Sequence, residues 1–77
     1  MSSEVSKYKV RFQKWISSPL WDDIASRLPD SIMSIVTIVM NAKSDKEVSW
    51  LVLKNCDYAL EKIESVSKTL KKGNRKR

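Results

Sequence analysis

Histidine is absent from this chain, and cysteine and glycine occur once each, at Cys56 and Gly73. Without an imidazole, neither Cys56 nor any serine has the usual base to activate it, and one cysteine makes neither a zinc tetrad nor a disulfide framework. A single glycine excludes glycine-rich phosphate loops and dinucleotide fingerprints. One glycine and two prolines, Pro19 and Pro29, supply few tight turns, which argues against a many-stranded sandwich or barrel. Long apolar runs are missing too. The first, over residues 32–40, contains Ser34 and Thr37 and falls far short of the ~20 residues that span a bilayer. The N-terminus is polar and shows no secretory signal. Adjacent Asp22 and Asp23 point about 100° apart on a helix, so they suit a first-turn role better than a catalytic pair. With 77 residues, the expectation is one non-enzymatic domain without cofactor or metal. The lone cysteine fits a reducing, cytoplasmic location.

What is present is charge, unevenly placed. The chain has 15 lysines and arginines against 9 acids, a net +6. All of that excess lies in residues 68–77, which hold Lys68, Lys71, Lys72, Arg75, Lys76 and Arg77 and no acid. A basic end attracts polyanions: nucleic acid, an anionic membrane surface or an acidic partner.

Helical periodicity accounts for most of the chain. Over residues 4–17, Val5, Tyr8, Phe12, Trp15 and Ile16 form one stripe, with Ser3 placed to cap it. Ser18-Pro19 reads as a second start, with Asp22 and Asp23 in its first turn and Pro29 as its end. Residues 30–42 are rich in β-branched side chains. The Pro-Asp-Ser entry and the lack of a partner strand make them a helix, apolar on nearly every side and expected to be the central one. Ser44 and Glu47 have capping-box spacing and predict a long fourth helix to Lys72, stopped by Gly73. The expected architecture is an all-α bundle of three to four helices. A single domain covers residues 3–72, and residues 73–77 form a basic flexible tail.

The fourth helix has two contrasting sides. Val52, Cys56, Ala59, Ile63, Val66 and Leu70 recur at alternating steps of four and three, a heptad-like seam. Trp50, Leu53 and Leu60 add a second apolar patch. A small domain with this apolar load, and a helix longer than its neighbours can cover, predict a homodimer through the seam. On the other side, with Lys54 as origin, Tyr58, Lys62, Ser65, Thr69 and Lys72 fall within about 80° at 100° per residue. Lys68 falls about 40° the other way, and Glu61 interrupts the stripe. The stripe is about 27 Å long at 1.5 Å per residue. Lysines neutralise phosphates, and hydroxyls bond phosphate oxygens or ribose 2′-hydroxyls, so the stripe suits a duplex read by shape. Arg75 and Arg77 extend the basic character. A helical protein-interaction module using the seam or the tryptophans is the alternative. A third reading lays the first helix, with Lys7, Lys9, Arg11 and Lys14 around Tyr8, Phe12 and Trp15, on an anionic membrane.

Leu28-Pro29-Asp30 opens a helix carrying Ile32 and Val36. Cys56, Leu60 and Lys62 follow, then Val66-Ser67-Lys68 and Leu70. Over residues 28–70 this pattern resembles the small double-stranded-RNA-binding silencing suppressors of insect nodaviruses. The resemblance implies an antiparallel dimeric bundle lying along one face of an RNA duplex and shielding it from Dicer-type processing. It places Lys62 and Lys68 on the backbone and Cys56 near the dimer centre. The chain departs from the family in its basic, aromatic first helix, in a shorter turn at residues 42–44, and in Glu61 and Glu64.

Overall fold

The computed structural model describes residues 4–75, in the order α1 (Glu4–Ile16), α2 (Trp21–Arg27), α3 (Asp30–Asn41), a 3₁₀ turn (Asp45–Glu47) and α4 (Trp50–Arg75). No strand occurs among the described residues, and the chain is a small all-α bundle. The β-branched segment is helical because Pro29, in extended geometry at φ −67° and ψ 156°, accepts the amides of Ile32 and Met33 through its carbonyl at 3.0 and 3.1 Å. Leu28 before it is extended at φ −85° and ψ 142°, as the residue preceding a proline prefers, and α2 ends there.

Helix α4 packs on all three other helices, and α1 also lies against α3. The core joins Tyr8 and Phe12 of α1, Ile24 of α2, Leu28, Ile32, Val36 and Val39 on and before α3, and Cys56, Ala59 and Ile63 of α4. A smaller cluster of Val5, Ala42 and Val48 closes one end. The molecule measures 47 × 22 × 16 Å, and α4, about 39 Å at 1.5 Å per residue, accounts for most of its length.

Several boundaries differ from the sequence expectation. Regular α2 begins at Trp21 rather than at Pro19. Residues 18–20 form a turn in which Ser18 Oγ accepts the Leu20 amide at 3.1 Å and the Ser18 carbonyl accepts that of Trp21 at 3.0 Å. Helix α4 starts at Trp50, not Ser44, and Ser49 takes the capping role by accepting the Val52 amide at 3.3 Å. The expected capping box is divided. Ser44 makes no side-chain cap, and Glu47 Oε1 accepts the Lys43 amide at 3.1 Å. Extended Val48 separates the two helical pieces, drawn into the end cluster with Val5 and Ala42. Asp45 serves a different helix. The Val5 amide donates to Asp45 Oδ1 at 3.0 Å and the Glu4 amide to Oδ2 at 3.4 Å, so a carboxylate some forty residues away caps α1.

Helix α4 runs through Gly73 to Arg75, and no described residue has a positive φ. A glycine stop is reinforced by an apolar residue just beyond it, and the residues that follow Gly73 in the sequence, Asn74 and Arg75, are polar. The expected tail is therefore helical over residues 73–75, while Lys76 and Arg77, like Ser3 and its cap, lie outside the described residues. Helix α3 is also less enclosed than expected. Ile38 is 41% exposed and Met33, Ile35 and Met40 are half-buried, so α4 is the central element.

Replacing Asp45 by alanine should lower the unfolding free energy by about 1 kcal/mol, the usual cost of losing a cap. Asp45→Asn should retain most of it, and Ser44→Ala should change it by less than about 0.5 kcal/mol, as for an uninvolved surface side chain. Urea denaturation followed by circular dichroism checks all three.

Candidate nucleic-acid interface

Helix α4 turns its seam inward. Cys56, Ala59 and Ile63 are 0% exposed, and Val52, Val66 and Leu70 are half-buried against the same core. The expected homodimer interface comprised Val52, Cys56, Ala59, Ile63, Val66 and Leu70, and within the single chain these residues also face its own core. The chain's own α1, α2 and α3 enclose Cys56, Ala59 and Ile63, while Val52, Val66 and Leu70 keep part of their surface exposed. The sequence argument assumed that three short helices could not cover the long one. Small residues at Cys56 and Ala59 let them approach closely enough to cover that part of it.

The opposite face is open along its length. Lys54, Tyr58, Lys62, Ser65, Lys68, Thr69 and Lys72 are all exposed. Thr69 Oγ1 donates to the Ser65 carbonyl at 3.1 Å. In this rotamer the Thr69 hydroxyl spends its proton inside the helix and offers an incoming group only its acceptor lone pairs. The Arg75 backbone continues the helix, and Arg77 lies outside the described residues.

The acids that interrupt the stripe have a place of their own. An open groove of about 690 Å³ runs between α1 and α4, with Arg11 and Lys14 on one wall and Asp57, Glu61 and Glu64 on the other. Trp15 and Leu60 help to line it. Arg11 Nη1 lies 3.9 Å from Asp57 Oδ1, an exposed pair that contributes little to stability but matches charge across the groove. Asp57 also accepts the Tyr8 hydroxyl at 3.0 Å, which ties α1 to α4. The negative edge of α4 therefore faces the basic side of α1.

The aromatic stripe of α1 that could have lain on a membrane turns inward instead, and Val10, 64% exposed, is its one large apolar side chain at high exposure. Val5, Tyr8 and Phe12 are buried in the bundle while Lys7, Arg11 and Lys14 are exposed and Lys9 is half-buried. No helix among the described residues is long and apolar enough to cross a bilayer. Asp22 and Asp23 are exposed in the first turn of α2.

Two exposed side chains were not anticipated on the outer face. Trp50 is 71% exposed and Leu51 60%, whereas Trp15 and Trp21 are half-buried against the core. Trp50 does not join Leu53 and Leu60 in an inward patch. On the helical wheel it lies only about 40° from Lys54, so the signal was present in its register. Lys54 Nζ sits 4.9 Å from the centroid of the Trp50 ring, a cation–π contact.

Cys56 is inert where it stands. Its Sγ donates to the Val52 carbonyl at 3.4 Å, and burial, followed by the charges of Asp57 and Glu4, pushes the thiol from 9.0 up to about 11. Burial also raises the Tyr8 phenol, helped by its hydrogen bond to Asp57. Comparison of the chain with protein-family models, curated proteins and solved structures returns no match.

Both Cys56 and Tyr8 titrate higher in the folded chain than their ordinary values of 9.0 and 10.0. The stability they carry is complete below those values and is lost as pH rises through the folded ones. The urea midpoint should therefore hold up to pH 9.0 and fall on the way to about 11. A Cys56→Ala variant should start lower and lose less over that interval. A midpoint as flat in the parent chain as in the variant would refute the thiol's role.

Proposed function

We propose that this chain binds duplex nucleic acid, double-stranded RNA in preference, along the outer face of α4 through phosphates and ribose hydroxyls. The observation that carries this reading is the simultaneous exposure of Lys54, Lys62, Lys68 and Lys72 on one straight helix. Their intervening acids line the groove toward α1. Tyr58 and Ser65 add hydroxyls to the same face. A rigid rod presenting lysine charges and hydroxyls contacts a backbone without reading sequence. The wide, shallow minor groove of A-form RNA displays 2′-hydroxyls to such a surface, which favours RNA over DNA. The chain acts by binding rather than catalysis. Its one thiol is enclosed, and its sequence supplies no imidazole. A duplex covered along one face is shielded from Dicer-type processing, the consequence that the resemblance to nodaviral suppressors implies.

Filter binding of an RNA duplex over a salt series tests this. Four lysine–phosphate contacts give a log–log slope near −3.6, or roughly a hundred-fold loss of affinity between 50 and 200 mM salt. Replacing Lys62 and Lys68 by glutamine should flatten the slope by about two and weaken all duplex sequences alike. Binding that is insensitive to salt, or unchanged in that double variant, would reject the proposal.

A further inference from the structure

We infer that Trp50 and Tyr58 form a stacking platform for unpaired bases at the N-terminal end of the α4 stripe, so that the preferred ligand is a duplex carrying a single-stranded extension. This deepens the duplex-binding reading and rests on it.

Trp50, Lys54, Tyr58 and Lys62 stand four residues apart. Side chains at this spacing form one ridge, each about 6 Å further along the axis and about 40° further round. Aromatic and cation alternate along it. Trp50 is 71% exposed and Tyr58 52%, and Lys54 and Lys62 are exposed between and beyond them. A single strand alternates in the same way, presenting a π-face and a phosphate with every nucleotide. Grooves that bind such strands combine lysines with aromatic rings. The ammonium of Lys54, 4.9 Å from the Trp50 centroid, covers one side of the ring. The exposure that remains with that contact made leaves ring surface for a base. Fixing Lys54 there also sets a positive charge beside the stacked base, where its phosphate must pass. Nothing in the fold needs Trp50 in this position. The core closes without it, and the end cluster is completed by Val5, Ala42 and Val48.

Charge selects this occupant over an apolar protein surface. A partner docking on Trp50 and Leu51 alone would have to bury Lys54 against its own apolar contact, whereas a nucleotide pairs the ring and the ammonium in one step.

Fluorescence anisotropy at fixed salt, with labelled RNA, provides the test. The probes are a blunt duplex, the same duplex with a short single-stranded extension, and the single strand alone. The parent chain should bind the extended duplex at least five-fold more tightly than the blunt one. Trp50→Ala and Tyr58→Ala should each erase roughly five- to hundred-fold of affinity for the extended form, the usual worth of one stacked base. Trp50→Ala, which lies outside the duplex-contacting set, should leave blunt-duplex affinity and its salt slope within two-fold of the parent. Trp50→Phe should recover part of the preference. Both side chains are exposed, and circular dichroism confirms that the variants fold.

Equal affinity of the parent chain for blunt and extended duplexes would overturn the platform and leave the duplex reading standing. Binding of the single strand alone, lost in Trp50→Ala, would keep the platform and remove the duplex reading. Self-association in sedimentation that Trp50→Ala abolishes, with no change in the extension preference, would assign the patch to a second copy and overturn the proposal.

Discussion

The complete burial of Cys56, Ala59 and Ile63 is the constraint from which the rest of the molecule follows. These three positions fix the side of α4 that faces inward, and in a helix that choice fixes every other direction. A change of one residue in register turns the rod by about 100°, enough to bury a lysine or expose the seam. The packing that stabilises the bundle therefore also sets where the charged groups point. Two small residues, Cys56 and Ala59, let α1, α2 and α3 converge on one helix, and the larger Phe12, Ile24 and Ile32 fill the space between. A chain of this size has a single core, and α4 contributes its most enclosed side chains to it.

The charge pattern is arranged around the same helix. Asp57, Glu61 and Glu64 look like a defect in a basic stripe when only the helical wheel is considered. Their position beside Arg11 and Lys14 gives them a different meaning. They attract the basic side of α1 and leave Lys54, Lys62, Lys68 and Lys72 to the outer arc. Asp57 joins both roles. It accepts a hydrogen bond from Tyr8, whose ring is in the core, and faces Arg11 across open water. Asp45 does comparable work at the end of the bundle by capping α1 from the turn that precedes α4. Two carboxylates thus tie the basic first helix to the rest of the chain.

Helical periodicity made most of the fold legible in the sequence. The stripe of Val5, Tyr8 and Phe12, the Pro29 entry to α3 and the inward seam of α4 all stand where spacing puts them. The exposed stripe from Lys54 to Lys72 was legible for the same reason. What escaped was decided by contacts between distant residues. Ser44 and Glu47 have capping-box spacing, yet Val48 is worth more in the end cluster than in a longer helix, and Asp45 caps a helix forty residues away. Gly73 has the chemistry of a stop, but no apolar residue follows it to make the turn favourable. The seam's spacing showed that it would be covered without showing by what. A second copy and three short helices of the same chain satisfy the same periodicity.

That ambiguity also explains why Trp50 was misplaced. A tryptophan near an apolar seam suggests burial, because an exposed one forfeits the hydrophobic gain of a large side chain. The structure gives its inward neighbours Val52 and Leu53 to the core and leaves Trp50 in water with Lys54 against its ring. Trp15 and Trp21 show that this chain packs the same residue type against its core where the core needs it. The difference among the three is one of register, not of composition. Inward changes on α4 should therefore act through stability, and outward ones through whatever binds there. The two classes alternate along one rod, so each outward substitution has a nearby inward control within one or two turns.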